Sequence, residues 1–396
     1  MSKGHIRQRG DSFELKFDLG RDPTTGKRRI QYHTVRGTKR DAQAKLRALM
    51  KAVDEHSFVE PSKLTVADYM RDRVAQWETS LEPITRKTAE RYRELVKHQI
   101  VPHLGAMTLQ KLKPADIEGW HGTLKASGRK DGKGGVSART IVQAHRVLQR
   151  ALREAHKNDL VSKNVGSLQR APKVKREEVE ILDPEQVASV VTKLRTHSRY
   201  PVFVTALFTG MRRGELLALR WSTVNLDKKT LQVREALEEC KRKVVDGNET
   251  GGVRVKGPKT DAGVRDIALP DIVVDVLRNY RRTVLEQRLA LGLGKLPDDA
   301  LMFPGDDGTY MSPAALTNAW RRAAKALAFD GVTLHALRHT HASQLIEAGV
   351  DIVTISRRLG HASANITLAV YAHLFRKSDD KAAAAINSAL AGLGAS

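Results

Sequence analysis

The chain is poor in several things, and each shortage excludes a class of protein. A single cysteine, Cys240, in 396 residues rules out an internal disulfide framework and any zinc site built from several thiolates, and it fits a reducing compartment. No apolar run approaches the roughly 20 residues that a membrane span needs. The opening Met1-Ser-Lys-Gly-His-Ile-Arg7 is polar and basic, with no secretory apolar segment. No GxxxxGKS or GxxxxGKT run occurs, which removes the usual ATP loop. Acidic residues are also in deficit, 45 against 68 Lys and Arg, for a net charge of +23 and a pI near 10.1. That balance points to a polyanionic partner such as nucleic acid. With 41% hydrophobic and 29% charged residues the chain has material for two or three domains with real cores. The expectation is a cytoplasmic protein with no membrane partner.

The positive charge is spread along the chain. Residues 1–56 carry 14 basic and 7 acidic side chains, residues 64–165 carry 19 and 11, and residues 182–396 carry 30 and 23. A basic tail would concentrate the excess at one end, whereas excesses of +7, +8 and +7 suggest that each folded unit touches phosphate.

The first module reads as a small sheet and a helix. Phe13, Leu15, Phe17 and Leu19 alternate with charged residues, the period of a half-buried strand. Asp22-Pro-Thr-Thr-Gly26 supplies a turn, Arg28 to Val35 resumes extended, and Ile6 to Arg9 is a candidate third strand. Thr38 is placed to cap a helix, with Asp41 at its third position. After the linker Glu60-Pro-Ser-Lys63 the pattern becomes helical. Val66, Tyr69, Met70 and Trp77 share a face, Thr85 and Ser137 are capping residues, Pro114 opens a helix, and Ile141, Ala144, Leu148, Leu152 and Ala155 form one apolar stripe. Four short helices in a bundle are expected, with the basic loop 127–135 either a connector or a phosphate contact. A charged linker, residues 170–181, precedes a third module that Asp183-Pro-Glu-Gln186 opens. It reads as mostly helical, with β-like stretches at Thr230 to Val233, Val253 to Val255 and Val264 to Leu269.

Four separated stretches of this last module are rich in groups that bind or protonate phosphate. They are Thr209-Gly-Met-Arg212-Arg-Gly-Glu215, Lys256-Gly-Pro-Lys259-Thr, His335-Ala-Leu-Arg338-His-Thr-His341, and Leu359-Gly-His361 with Tyr371 ten residues beyond. Arginine forks neutralise nonbridging oxygens, histidine and lysine move protons, and a hydroxyl attacks, so the set suits phosphoryl transfer. His335 and His339 stand four apart, as zinc ligands on a helix can, but Ala336 occupies the place where HExxH has its glutamate. No metal and no cofactor is expected.

In order and spacing these motifs resemble those of the tyrosine recombinases, in particular integrases of temperate phages and integrative elements. The resemblance rests on HxLRHTHAS followed by LGHxxxxxTxxxYxH, after TGMRRGE and PKT, and it extends over essentially the whole chain. It implies a mainly α protein with small β-sheets: an arm-type DNA-binding domain over residues 1–56 (β-sheet plus helix), a helical core-binding domain over 64–165, and a mixed α/β catalytic domain over 182–396. It also implies that Tyr371 attacks the scissile phosphate to give a 3′-phosphotyrosyl bond and a free 5′-hydroxyl. A phenol titrating near pH 10 needs help to do so at neutral pH, and His335 is placed for that proton traffic. Arg212 and Arg338 match the family's arginine pair, with Arg213 the competing choice in the first motif. Lys259 matches the hairpin lysine that protonates the leaving oxygen, with Lys256 close by; His361 matches the residue that donates to the phosphate, and His373 is assigned to structure. The implied partners are double-stranded DNA at core and arm attachment sites and three further copies in a tetramer, with a host DNA-bending factor and a directionality factor left open. The tail 382–396, with Ala383, Ile386, Leu390 and Leu393 on one stripe, is expected to dock on a neighbouring protomer, with packing in cis as plain core the alternative. The rival readings are a type IB topoisomerase-like activity, which shares the chemistry, and a non-catalytic DNA-binding regulator.

Overall fold

The computed structural model describes residues 4–21, 24–55, 58–174, 180–245, 248–257 and 263–375, with 383–384, 386–388 and 390 of the tail. The chain divides into two compact units, Met1–Arg176 and Glu177–Ser396.

In the first unit, β1 (Gly4–Arg9), β2 (Ser12–Arg21) and β3 (Arg28–Arg36) pair antiparallel in that order. Alternation along β2 turns Phe13, Leu15 and Phe17 to one side, where they pack with Ala42 and Leu46 of α1 (Lys39–Asp54). The start of α1 is fixed by a reciprocal cap. The Thr38 hydroxyl accepts from the Asp41 backbone N–H at 3.2 Å, and the Asp41 carboxylate accepts from the Thr38 N–H at 2.9 Å, satisfying two donors that a helix end leaves orphaned.

A second and separate apolar cluster, from Val66 to Val165, is built by α2 (Val66–Thr79), α3 (Arg86–Leu95), α4 (Val101–Leu104), α5 (Pro114–Ser127), α6 (Ala138–Lys157) and α7 (Val165–Leu168). Thr65, Thr85 and Ser137 each accept from the backbone N–H three residues on. The structure departs here from four short helices. The helix begun at Thr85 runs on through a π-helical turn, Val96–Ile100, into α4. Pro102 has no N–H for the carbonyl four residues back and its ring crowds that carbonyl, so the ladder widens before it. Helix α6 spans 20 residues, and its stripe Ile141, Ala144, Leu148, Leu152, Ala155 is at most 1% exposed.

The second unit opens with α8 (Pro184–Lys193), capped by Asp183, followed by α9 (Tyr200–Thr209) and α10 (Arg213–Ala218). Helix α9, Tyr-Pro-Val-Phe-Val-Thr-Ala-Leu-Phe-Thr, is apolar on nearly every side and is correspondingly buried all round. The extended stretches form two sheets. One is antiparallel, β4 (Val224–Asn225), β5 (Thr230–Val233) and β8 (Arg265–Ala268). The other is a hairpin of β6 (Ala236–Val245) and β7 (Asn248–Lys256), whose first strand the sequence reading does not include. Helices α11 (Asp271–Ala290), α12 (Pro313–Ala326), α13 (Leu334–Glu347), α14 (Ile352–Leu359) and α15 (Ala364–Phe375) complete the unit. Its core gathers on Phe203 and Trp320, whose rings meet edge to face at 5.2 Å. A small satellite cluster, Ala342, Ile346, Ile355, Leu359 and Tyr371, lies apart from that core. The molecule is thus mostly helical with small sheets, and among the described residues no helix is long and apolar enough to cross a membrane. In the tail, Ile386 and Leu390 are exposed; Leu393 lies outside the described residues.

Leu148, fully buried on α6, is a sensitive probe of the helical cluster. Leu148→Ala should cost about 2–5 kcal/mol through lost burial and a residual cavity. In urea unfolding of the whole chain this appears as a lower midpoint for the first unit, with the slope unchanged.

Candidate active site

Two helix ends create the site. Helix α9 stops at Gly210, which is left-handed (φ +63°), and α14 stops at Gly360 (φ +67°). Left-handed closure favours glycine, and neither position has room for a side chain. A Cβ at Gly210 would sit 2.6 Å from the His341 ring, and one at Gly360 would sit 2.7 Å from the Arg265 guanidinium. The carbonyls at such ends lack intrahelical partners and carry the negative end of the helix dipole. Arginines satisfy them.

Arg338, on α13 and 4% exposed, donates through Nη1 to the Gly210 carbonyl at 2.6 Å and through Nη2 to the Leu359 carbonyl at 2.8 Å. Its pKa is lowered to about 9, by burial first and then by the charge of Arg212, which leaves it cationic at neutral pH. Arg212 donates to the Gly360 carbonyl at 2.8 Å and to the Glu215 carboxylate at 2.8 Å, while 42% of its side chain stays open. Arg213, the competing choice, instead donates to the Pro313 carbonyl at 3.2 Å and the Thr317 hydroxyl at 2.7 Å, so Arg212 is the member of the pair that joins this group.

Glu215 also receives Arg265 at 2.8 Å. Burial opposes its ionisation, but the hydrogen bond and charge of Arg265, then those of Arg212, outweigh it and hold the carboxyl below its usual range. Arg265 further donates to the Arg358 carbonyl at 2.6 Å. Arg265 follows the Pro-Lys-Thr motif in the sequence, but nothing in its spacing signals that it completes an ion cluster with Glu215, 50 residues away.

His361 stands next to Arg338, its Nε2 2.8 Å from Nη2 and its Nδ1 2.7 Å from the Thr367 hydroxyl. Arginine only donates, so Nε2 accepts and the ring proton resides on Nδ1, facing Thr367. Burial, followed by Arg338, Arg212 and Arg265, brings His361 down to about 4. The ring is a neutral acceptor in this geometry. Because a hydroxyl can accept or donate, Thr367 supports either tautomer, and donation from Nε2 to an anion requires the other one.

Tyr371, on α15, is 2% exposed. Its hydroxyl lies 2.5 Å from Nδ1 of His339, and burial pushes the phenol up to about 12 against the charge of Arg338. His335, the expected proton carrier, is exposed and meets the His339 ring edge to face at 4.6 Å. In the sequence His339 stands out only through its zinc-ligand spacing from His335. Two residues further along α13, Nε2 of His341 accepts from Arg358 at 2.9 Å.

Arg212, Glu215 and His361 also line a cavity of about 520 Å³ with Lys256, and Lys256 pairs with Glu238 at 2.5 Å. Lys259 lies outside the described residues, as does the side chain of His373. Among the described residues no three His, Cys, Asp or Glu gather as a metal site.

The model of the phage integrase family matches residues 180–378, and that of the phage integrase N-terminal SAM-like domain matches residues 71–125. The chain is similar to a tyrosine recombinase XerC-like protein of Caldanaerobacter subterraneus subsp. tengcongensis, 24% identical over 397 residues and covering 97% of each chain. An integrase of Streptomyces ambofaciens is 30% identical over 361 residues, 89% of this chain and 87% of that one. Among solved structures, the Tn1549 transposon integrase (residues 82–397) in complex with a circular intermediate DNA has a TM-score of 0.66 at 22% identity, covering 82% of this chain and 99% of that one. That last likeness is one of fold.

Glu215 gives a test of the ion cluster. Its folded pKa is depressed, so the stability it contributes is present above the unfolded carboxyl value near 4.5 and lost as pH falls through the folded value. Glu215→Ala leaves two arginines without their carboxylate and should cost about 3–5 kcal/mol at neutral pH. Thermal melts across pH 7 to 3 should show the parental chain approaching the variant as the pH falls.

Proposed function

The chain belongs to the phage integrase family of tyrosine recombinases, and from that premise we propose that it is a site-specific DNA recombinase that integrates and excises a mobile element through Tyr371. The observation that carries this reading is the convergence of Arg212, Arg338 and His361 from three separate motifs into one hydrogen-bonded group, with a phenol close enough to feel the charge of Arg338.

In this mechanism the open guanidinium of Arg212 and the inner one of Arg338 take the nonbridging oxygens of the scissile phosphate. They are preorganised where charge grows as the phosphorane forms, which is where fixed donors accelerate most. The Tyr371 oxygen attacks phosphorus, the bond to the 5′-oxygen breaks, and Lys259 protonates the leaving oxygen. A 3′-phosphotyrosyl linkage keeps the phosphodiester energy, and a partner's 5′-hydroxyl reverses the step on a new strand. His361 supplies a hydrogen bond to the phosphate in its Nε2–H tautomer.

The module assignment follows the charge. Residues 1–56 form the arm-type module for a second DNA sequence, 64–165 the core-binding module, and 182–396 the catalytic module, each with a net excess of at least +7. Four copies act on two duplexes and exchange strands in pairs. The exposed Ile386 and Leu390 support docking of the tail on a neighbouring protomer.

Two experiments test this reading. Nicked fragments of genomic DNA from the source organism, incubated with the chain and denatured in detergent, should yield a covalent adduct whose DNA defines the core site. Tyr371→Phe should bind that DNA with unchanged affinity and form no adduct; recombination by the Phe variant would remove Tyr371 as nucleophile. Lys259→Ala should slow cleavage of the natural phosphodiester by about 10²-fold or more and spare a 5′-bridging phosphorothiolate, whose leaving thiolate needs no proton. Equal loss on both substrates would take Lys259 out of the acid role.

A further inference from the structure

The proton of Tyr371 has no receiver in the roles assigned so far except His335, and His335 does not touch the hydroxyl. The residue that does is His339. We infer that His339, through Nδ1, receives the Tyr371 hydroxyl proton as the oxygen attacks phosphorus and returns it when the strand is rejoined. The inference rests on Tyr371 being the nucleophile, and it deepens that reading by naming its base.

Geometry carries the argument. Nδ1 of His339 is 2.5 Å from the phenol oxygen, within the distance a general base requires of the proton it takes. The two rings meet at 60° with centroids 5.6 Å apart, so the contact comes from the ring edge that bears the nitrogen. The partners belong to different elements, α13 and α15, and burial on both sides holds them. His335 approaches the same imidazole from one turn earlier, edge to face, and is itself open to solvent.

Electrostatics supply the timing. The charged and titratable groups that face His339 are His335 and Arg338 on its own helix, Tyr371 on α15, and His361 between α14 and α15. Burial first, then His335 and Arg338, bring it down to about 4. It is therefore an unprotonated base at neutral pH, and the phenol O–H donates to it when the ring proton is on Nε2. With Tyr371 near 12 and His339 near 4, the proton stays on oxygen at rest. An anionic phosphate seated between Arg212 and Arg338 offsets the guanidinium charge that keeps His339 acidic, so its basicity rises when substrate is in place. In the step itself the O–H bond breaks toward Nδ1, the O–P bond forms, and the P–O5′ bond breaks with protonation of the 5′-oxygen by Lys259. Rejoining reverses each transfer.

The test uses the core site recovered as an adduct, presented to the full chain as a nicked duplex under single turnover. His339→Asn places a carbonyl oxygen near the position of Nδ1, keeping an acceptor without basicity, and His339→Ala removes both. Each should form the adduct about 10²-fold or more slower than the parental chain, with non-covalent binding of the same duplex and the melting temperature unchanged. Free imidazole in the buffer should restore a part of the rate to His339→Ala and none to His339→Asn. Parental rate in the Asn variant would reduce His339 to holding the hydroxyl, and parental rate in the Ala variant would remove it from the reaction; either result overturns the inference. If the Ala variant fails to fold, the Asn variant decides alone, since it occupies much the same space. Failure of the parental chain to form any adduct would instead strike the recombinase reading, and the inference with it.

Discussion

Everything at this site follows from holding like charges together before any anion arrives. Arg212, Arg265 and Arg338 converge, and one carboxylate, Glu215, balances two of them. Among the described residues Arg338 pairs with no carboxylate and is held by backbone carbonyls instead, Gly210 at the end of α9 and Leu359 at the end of α14. Those carbonyls are an effective substitute because helix C-termini carry partial negative charge with nowhere else to place it. They also leave the guanidinium only partly neutralised. A full carboxylate partner on each arginine would compete with a phosphate, whereas dipoles fix the fork and keep its charge available. The two left-handed glycines are the local condition for this arrangement, since each lets a helix stop with its carbonyls aimed at an arginine.

The histidines respond to the same field. His335, His339, His341 and His361 are all shifted down, with burial the largest cause, followed by neighbouring arginines for three of them and by His335 and then Arg338 for His339. A cluster of four imidazoles would ordinarily be a reservoir of charge near neutral pH. Here the arginines carry the positive charge at neutral pH, which frees the imidazoles to act as neutral acceptors: His361 toward Arg338, His341 toward Arg358, His339 toward Tyr371. Positive charge and acceptor nitrogens thus sit on different side chains of the same group.

How much of this was legible in the sequence depends on range. Thr38, Thr85, Ser137 and Asp183 cap helices by contacts within three residues, and the strand of Phe13, Leu15 and Phe17 declares itself by alternation; such features are local and can be read. Strand β6, Ala-Leu-Glu-Glu-Cys-Lys-Arg-Lys-Val-Val, has charged residues at consecutive positions and so lacks the period of a half-buried strand. The arginines and the tyrosine were visible as motif landmarks, but their partners were not, because three of those partners are carbonyls at Gly210, Leu359 and Gly360, which any residue type would supply. His339 was hidden for a different reason. Its spacing from His335 suggests a shared ligand, and only the fold, bringing Tyr371 across 32 residues, shows which atom it faces.

The placement of the tyrosine raises a last physical point. A phenol that is 2% exposed reaches an external group only when what covers it is displaced. Tyr371 belongs to a satellite cluster of five buried residues, not to the large core around Phe203 and Trp320. Because hydrophobic stabilisation scales with buried apolar area, opening so small a cluster costs far less than disturbing the core, and regions of low local burial are where proteins open short of global unfolding. The arginines draw on both parts of the unit: Arg338 donates to Gly210 at the end of α9, which packs in the main core, and to Leu359, a member of the satellite cluster. That satellite cluster draws on α13, α14 and α15, so the helix that carries Tyr371 is held against the helix that carries His339 and Arg338.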